Sequence, residues 1–221
     1  MGGAACTMRV DPDLRFERRF WRSGCAHVVG LDEAGRGALA GPIAVGAVML
    51  PPAGKQSPPA GPRAVRGGLR GVRDSKQMTA AEREAAAARI KRHALAWGVG
   101  FASSDEIDAE GIVRAGRLAA MRALEGLGVV PDYVLTDFRL ELPELGISQT
   151  SLVKGDVCCL SIAAASVLAK TARDAVMQDM DADIPGYGLA QHKGYGTPAH
   201  RLAIRRMGRS PIHRRSFSIG S

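Results

Sequence analysis

The chain has 221 residues, of which 46% are hydrophobic and 24% are charged, and its formal net charge is +8. This length and composition predict one folded domain with an apolar core and exclude a wholly disordered protein. The positive charge makes a polyanion such as a nucleic acid the first partner to consider, although such charge also serves solubility.

Residues 1–24 are polar and charged without clear periodicity, and they are predicted to form a partly ordered arm. This arm has no apolar stretch of the length that a secretory signal needs, and no segment of the chain approaches the roughly 20 apolar residues of a membrane span. A cytoplasmic location without membrane association is therefore expected. The cysteines lack zinc-ligand spacing and are expected to be reduced thiols, with the adjacent pair buried: Cys6, Cys25, Cys158 and Cys159.

The first two predicted strands flank a glycine-rich turn. Apolar runs at 27–31 and 43–50 are typical of strands, and the turn "AGRGALAG" between them is short. Because a parallel pair would require a long crossover, the two strands are predicted to form an antiparallel hairpin.

This turn has only part of the glycine spacing of a dinucleotide-binding loop. Ala40 stands where the third glycine would be, and the turn leads into a strand where such a loop leads into a helix. Two interpretations stay open: a surface where backbone N–H groups and Arg36 approach a sugar or phosphate, or a plain hairpin turn with a solvated arginine.

The region 51–73 is rich in proline and glycine and contains five basic residues and no acid. It is predicted to be a mobile loop that either contacts a polyanion or is a solvated insertion. After it, Thr79 and Glu82 have the spacing of a capping box, which predicts a helix over 80–96.

The rest of the chain alternates between strands and helices. This order predicts a mixed α/β sheet with helices against it and a helical, basic C-terminal tail. The predicted elements are a strand in "GVGFASS", a helix over 103–128, a strand over 133–138, a short strand within 148–156 and a closely packing helix of small residues over 157–180.

Acidic residues follow two of the apolar runs. Asp32 ends one run, with Glu33 beside it, and Asp137 ends another. If these two strands are neighbours, their acids meet at one edge of the sheet. Asp156, just before the long helix, is a third candidate, although an acid there is also explained as a helix cap.

Grouped acids repel one another, and a bound divalent cation removes that repulsion. Carboxylate oxygens favour Mg²⁺ or Mn²⁺ over zinc, and two such ions support phosphodiester cleavage. A basic protein with a carboxylate cluster is therefore consistent with a nuclease, while turn formation and helix capping remain the structural alternative for these acids.

Aromatic and basic residues concentrate near the C-terminus. The stretch "YGLAQHKGYGTPAHR" contains two of the three tyrosines, and a ring beside basic groups suits stacking on a sugar or base. Residues 201–221 contain six arginines and no acid, which is consistent either with an electrostatic grip on a polyanion or with a solvated tail.

The motifs taken together resemble bacterial ribonuclease HII, the type 2 ribonuclease H. The resemblance runs from Ala26 to Phe217, and the D-E-A-G-R-G and H-K-G-Y blocks are its most specific parts. In chain order the matching stretches are "GLDEAGRGALAGP", "DSKQMT", "YVLTD", "LVKGD", "IAAASVLAKTARD", "YGLAQHKGYGTPAH" and "HRRSF".

The resemblance implies a ribonuclease H-like catalytic domain over 25–182, with a helical and basic segment over 183–221. It implies an endoribonuclease that cleaves the RNA strand of RNA–DNA hybrids and cuts at ribonucleotides within duplex DNA, leaving 5′-phosphate and 3′-hydroxyl ends. A monomer that uses Mn²⁺ or Mg²⁺ is expected.

The same resemblance assigns residues to the site. The implied catalytic and metal-binding set is Asp32, Glu33, Asp137 and Asp156. Gly35, Arg36 and Gly37 are expected to recognise the ribose 2′-hydroxyl and Tyr195 to stack on the adjoining sugar, with Lys76, Lys170 and Lys193 as further substrate contacts. Asp174, one turn after Lys170, is expected either to be structural or to support a metal ligand without binding the metal itself, with Asp156 the better ligand.

The chain departs from the family pattern at several positions. Phe138 and Arg139 follow the third acid, where the family usually has glycine, and Ala38 and Ala163 replace a usual proline and serine. No predicted metal ligand is lost. Two other hypotheses compete with this one. The first is a non-catalytic module that binds hybrid or damaged duplexes, and Phe138 favours it. The second is a nucleotide-dependent phosphotransferase, but the sequence has no phosphate-loop pattern.

Overall fold

The computed structural model describes residues 11–52, 68–138 and 140–220. Its centre is one mixed sheet, which confirms the predicted α/β class. The strands are β1 (Val28–Ala34), β2 (Ile43–Met49), β3 (Ala96–Ala102), β4 (Tyr133–Asp137) and β5 (Gln149–Leu152). Their order in the sheet is β3-β2-β1-β4-β5, with antiparallel pairing from β3 to β1 and parallel pairing from β1 to β5.

Helices cover both faces of this sheet. On one face, apolar residues of β1 and β2 pack against the helix Ser104–Glu125. On the other face, Val48 of β2 packs against the helices Ala80–His93 and Leu160–Asp183, and Val28 of β1 packs against Ile162. The helices are α1 (Arg15–Arg22), α2 (Ala80–His93), α3 (Ser104–Glu125), α4 (Gly155–Cys158), α5 (Leu160–Asp183), α6 (Leu189–His192) and α7 (Pro198–Met207), with a 3₁₀ turn at Ser75–Gln77. No helix within the described ranges is long and apolar enough to cross a membrane.

The small residues of α5 allow a close approach to the sheet, as predicted. A Cβ atom added to Gly30 would lie 2.5 Å from the backbone nitrogen of Ile162, and one added to Gly46 would collide with the carbonyl of Ala165. The glycines of β1 and β2 are therefore required by the helix backbone that crosses them. This crossing brings α5 against the strand that carries Asp32.

Local signals in the sequence predicted most of the elements at or near their observed boundaries. The hairpin of β1 and β2 is confirmed, and Thr79 and Glu82 form the predicted capping box at the start of α2. α2 ends at His93, three residues earlier than predicted, because β3 already begins at Ala96. The helix predicted over 157–180 is instead two helices, since Cys159 has extended backbone angles between α4 and α5.

The main omission is α1, within the predicted arm. Phe16, Phe20 and Trp21 of this helix pack beside β1 and α5, so this part of the arm is attached to the domain. Cys158 and Cys159 are free and buried, as expected, and Cys25 is free and half-buried. Predictions for the start of the arm with Cys6, for residues 53–67 of the basic loop and for Arg139 fall outside the described residues.

Candidate active site

Sheet topology brings the predicted acids together. β1 and β4 are parallel neighbours, and their register pairs Leu31 with Thr136, one residue before Asp32 and Asp137. Asp156 enters from the first turn of α4, after the loop that follows β5. Asp32, Glu33, Asp137 and Asp156 all line one cavity of about 530 Å³.

Asp32 is the most buried of these acids, with 5% of its surface exposed. Its neighbour on α5 is Ser166, whose hydroxyl also lies 3.0 Å from the hydroxyl of Ser75. Burial raises the pKa of Asp32 well above its usual range, and the charge of Glu33 raises it further, while the hydrogen bond from Ser166 opposes both. A carboxylate in this position is stabilised by added positive charge.

Glu33 lies beside the glycine turn. Burial raises the pKa of its carboxyl group, and Arg36, with Nη1 3.8 Å from Oε1, opposes the shift. The other oxygen, Oε2, is buried and accepts no hydrogen bond within the described part of the chain. Glu33 thus has an unsatisfied acceptor in the wall of the cavity.

The remaining two acids are connected through the backbone of α4. The N–H of Gly155 donates a 2.9 Å hydrogen bond to Oδ1 of Asp137, and Gly155 precedes Asp156. Burial raises the pKa of Asp156, followed by the charge of Asp74, and the ammonium group of Lys76, 3.6 Å away, opposes the shift. The position of Asp156 in a first helical turn also agrees with the capping alternative.

Asp74 is a fifth acid that lines this cavity, and the sequence analysis did not identify it. Its carboxylate accepts a 3.0 Å hydrogen bond from the N–H of Lys76 and caps the 3₁₀ turn. The only signal in the sequence is its place before Ser75 and Lys76 in "DSK", which looks like ordinary turn chemistry.

The donor set of the cavity fits an oxygen-preferring divalent cation. The charges of neighbouring acids raise the pKa of Asp32, Glu33 and Asp156, and the unsatisfied oxygen of Glu33 provides a further acceptor. Across the described ranges, however, no three acidic, histidine or cysteine side chains converge on one closed metal position. The arrangement is that of an open, solvent-accessible carboxylate cavity.

Two glycines of the turn have different surroundings. Gly35 has a φ of 89°, and a Cβ added there would lie 2.5 Å from Cδ of Arg173 and closer still to its Nε. Gly37 is exposed, and a Cβ added there would have no atom of the described residues within 4 Å. Only Gly35 is therefore required by the protein's own packing.

Two buried arginines that the sequence analysis missed support this turn. Arg173 donates to the carbonyl oxygens of Pro42 at 2.9 Å, Ala40 at 3.2 Å and Lys193 at 2.9 Å. Arg214 donates to the carbonyls of Gly41 at 3.0 Å and Arg36 at 2.9 Å. Both side chains are almost wholly buried, and burial lowers the pKa of Arg214 to about 9.

Tyr195 lies two residues after Lys193, and Arg173 connects Lys193 to the glycine turn through hydrogen bonds to the carbonyls of Lys193 and Ala40. Its ring centroid is 5.5 Å from Nζ of Lys170 and 5.3 Å from Cζ of Arg173. Its carbonyl oxygen is 3.0 Å from Nδ1 of the buried His200. The ring is half-buried, and Arg173 lies next to both this ring and Gly35. One buried arginine therefore contacts both predicted ribose-binding positions.

The predicted lysines have different environments. The side chain of Lys76 is 77% exposed at the rim of the carboxylate cavity. Lys170 pairs with Asp174 at 2.7 Å, and Asp174 also accepts from Arg83 at 3.0 Å, which agrees with a structural role for that acid. The ammonium group of Lys193 donates to the carbonyl oxygen of Ala190. Of the three predicted lysines, Lys76 is thus the one that lines the carboxylate cavity, as does Lys154.

Comparison with known proteins gives a consistent result. The family model described as ribonuclease HII matches residues 29–219. Ribonuclease HII of Moorella thermoacetica is 49% identical over 209 residues, which cover 95% of both chains. The RNase HII of Archaeoglobus fulgidus, solved in a complex with PCNA, superposes with a TM-score of 0.70 at 22% identity, covering 88% of this chain and 96% of that one. Bst-RNase HIII, solved in complex with Mn²⁺, gives a TM-score of 0.62 at 18% identity, covering 87% and 67%.

Proposed function

The chain belongs to the ribonuclease HII family and is a type 2 ribonuclease H acting on RNA–DNA hybrids, and we propose that it also cuts duplex DNA at single embedded ribonucleotides. The observation that carries this proposal is the position of four carboxylates in one cavity directly beside the Gly35–Gly37 turn. A turn with an open backbone suits recognition of one 2′-hydroxyl, the group that distinguishes RNA from DNA.

The family depends on divalent metal ions, and we assign the ligands in this chain to Asp32, Glu33, Asp137 and Asp156, with Mg²⁺ or Mn²⁺ as the ion. When bound, such ions supply a Lewis acid for the phosphate and lower the pKa of water. The buried position of Asp32 and the unsatisfied oxygen of Glu33 support this assignment. The related Bst-RNase HIII was solved with Mn²⁺, which is one of the two ions proposed for this chain.

The chain's own residues orient the substrate in this proposal. The backbone at Gly35 and Gly37 and the side chain of Arg36 contact the ribose and its 2′-hydroxyl, and Tyr195 packs on the adjoining sugar. Lys76, Lys170 and Lys193 are the proposed lysine contacts. Among them Lys76 is already exposed at the cavity rim, whereas Lys170 and Lys193 must exchange their present hydrogen bonds for phosphate oxygens.

The reaction is hydrolysis of one phosphodiester bond. Water forms a new bond to phosphorus, the bond from phosphorus to the 3′ oxygen breaks, and that oxygen leaves as a hydroxyl after taking up a proton. The products are a 3′-hydroxyl and a 5′-phosphate end.

A gel assay tests the proposal most simply. A labelled DNA duplex with one ribonucleotide is incubated with the protein in Mg²⁺, Mn²⁺ or EDTA. Cutting in at least one metal and none in EDTA is expected, with product ends that a ligase can rejoin. A shifted but uncut band in every condition would instead identify a binding module.

Tyr195 provides a specificity test of the same proposal. Tyr195→Ala is expected to reduce cutting at a single ribonucleotide more than it reduces affinity for an all-DNA duplex. Equal losses in both measurements would show that Tyr195 contributes only to general binding.

We also propose that the protein acts as a cytoplasmic monomer. A single chain carries the four acids, the glycine turn and Tyr195, which supports a complete site in one copy. Light scattering during size-exclusion chromatography, with and without substrate duplex, tests the monomer.

A further inference from the structure

Phe138 lines both the carboxylate cavity and a second cavity. The second cavity has a volume of about 250 Å³. Among the described residues, Phe138 is the one that the linings of the two cavities share. The residues around the second cavity are Arg36, Val113, Arg117, Phe138, Leu140 and Glu141.

The position of Phe138 in the chain, rather than its exposure to solvent, indicates that it contacts a ligand. Its surface is 58% exposed, and single exposed apolar residues are common in proteins. Phe138, however, directly follows Asp137 at the end of β4, beside a cavity lined by charged groups. None of the ring pairs within the described ranges involves Phe138, so its ring is available to an aromatic or sugar face.

The charges around the second cavity favour an anion. Arg36 comes from the glycine turn and Arg117 from α3, and Nε of Arg117 donates a 3.0 Å hydrogen bond to the carbonyl oxygen of Glu141. Among the described residues, Glu141 is the one acid in the lining, and its carboxylate accepts a 3.3 Å hydrogen bond from Ser151. The described residues of the lining thus include two arginines and one acid and carry a net positive charge, while Nη1 of Arg36 also lies 3.8 Å from Oε1 of Glu33 in the carboxylate cavity.

The lining thus combines a phosphate-binding part with an apolar part. Guanidinium groups bind phosphate, and the apolar surfaces of Phe138, Val113 and Leu140 match the face of a base or sugar. One ligand that has both chemistries is a nucleotide within a nucleic-acid strand.

We propose that this second cavity is a nucleotide subsite, in which the ring of Phe138 packs on the nucleotide next to the ribonucleotide in the cleaved strand and Arg117 contacts its phosphate. The subsite depends on the proposed function, because Arg36 belongs both to the turn that contacts the ribose and to the lining of the second cavity. A strand with its ribose at that turn and its phosphate at the acids is therefore continuous with the second cavity.

Substitution of Phe138 tests the subsite in solution. Phe138→Ala is expected to raise the Kd for a one-ribonucleotide duplex in EDTA, and the KM for cutting in Mn²⁺, about tenfold, because stacking on an aromatic ring is lost. Phe138→Tyr retains the ring and should stay near wild type. Val130→Ala, which shortens a 77% exposed side chain outside both cavities, is the matched control and should change neither value.

A photochemical measurement locates the contact. Duplexes with 5-iodo-2′-deoxyuridine next to the ribonucleotide, in the cleaved or the complementary strand, are irradiated with the protein in EDTA and the crosslinked peptide is identified by mass spectrometry. A crosslink from the cleaved strand to Phe138 is expected. A crosslink to Phe138 only from the complementary strand, or none at Phe138, would overturn the proposal.

The two proposals fail in different ways. If wild type cuts the duplex while Phe138→Ala keeps wild-type Kd and KM, the subsite is refuted and the proposed function stands. If wild type cuts in no metal, the proposed function is refuted, and the EDTA affinities still report whether Phe138 contacts nucleic acid.

Discussion

The Cα atom of Gly35 lies directly against the guanidinium group of Arg173. A side chain at Gly35 would collide with Arg173, and the φ of 89° would strain it further. Gly37, two residues away, has neither constraint. The two glycines of the motif thus serve different purposes: one permits the protein's own packing, and the other leaves a surface open.

This difference predicts opposite results for two small substitutions. Gly35→Ala should lower the melting temperature by several degrees, since strain and overpacking typically cost about 1–3 kcal/mol each. Gly37→Ala should leave the melting temperature within about 2 °C of wild type and yet reduce cutting at a single ribonucleotide at least tenfold. A thermal melt and a cleavage assay on each variant decide this. Full activity of Gly37→Ala would contradict the role of Gly37 in ribose recognition.

Arg173 is expected to position both ribose contacts. Arg173→Lys keeps the charge but cannot donate to the carbonyls of Ala40, Pro42 and Lys193 together. The ratio of the Kd for an all-DNA duplex to the Kd for a one-ribonucleotide duplex, measured in EDTA, should therefore fall at least fivefold. Arg122→Lys, which alters an exposed arginine paired with Glu106, is the control. A general loss of folding would weaken both affinities and leave the ratio unchanged.

The sequence predicted the parts of the site that depend on strand ends. Asp32 and Asp137 close apolar runs, so a sheet that makes those runs neighbours also brings the acids together. The crossover helix before β4 and the small residues of α5 likewise follow from local patterns. The motif resemblance then connected Asp156 to the same site, which spacing alone did not.

The sequence did not reveal the supporting residues. Arg173 and Arg214 bind backbone carbonyls far away in the chain. In a basic sequence, nothing in the local pattern distinguishes such buried arginines from surface arginines. α1 was missed because its charged residues obscure an apolar face formed by Phe16, Phe20 and Trp21. Such contacts depend on tertiary packing, and residue spacing does not encode them.

A pair of buried histidines predicts a loss of stability in mild acid. Nε2 of His213 lies 3.0 Å from Nε2 of His200, and the N–H of Ser210 donates to Nδ1 of His213. Burial, followed by the charge of His200, lowers the pKa of His213 to about 4. Between the ordinary histidine pKa of about 6.5 and pH 4, the unfolded chain therefore binds more protons than the folded protein. The free energy of unfolding consequently falls as the pH falls, by up to about 1.4 kcal/mol per pH unit for one such histidine.

Urea unfolding at pH 7.5 and 5.5 measures this dependence. Between these two pH values, the free energy of unfolding of wild type should fall by about 1 kcal/mol more than that of His213→Gln, because of the same difference in proton binding. Equal losses in wild type and His213→Gln would show that His213 does not titrate differently on folding.

Glu17 predicts the opposite pH dependence. Its side chain is wholly buried, Oε1 accepts a 2.7 Å hydrogen bond from the N–H of Ser161, and Oε2 has no partner in the described part of the chain. Burial raises the pKa of this carboxyl group, so its contribution to stability is lost as the pH rises from the unfolded value through the folded one. Glu17→Gln should therefore raise the free energy of unfolding at pH 8 by about 1 kcal/mol, and by less at pH 5. A variant less stable than wild type at pH 8 would contradict this.

The most direct test of the proposed site is the single-turnover rate of cutting by Asp32→Asn on a duplex with one ribonucleotide in saturating Mn²⁺. Asp179→Asn, at an exposed acid of α5 outside the cavity, is the matched control. We expect Asp32→Asn to cut at least about a thousandfold more slowly than wild type, with its affinity for the duplex in EDTA within threefold of wild type, since the lost carboxylate acts in the reaction. A wild-type rate for Asp32→Asn would contradict the assignment of these carboxylates as the catalytic centre.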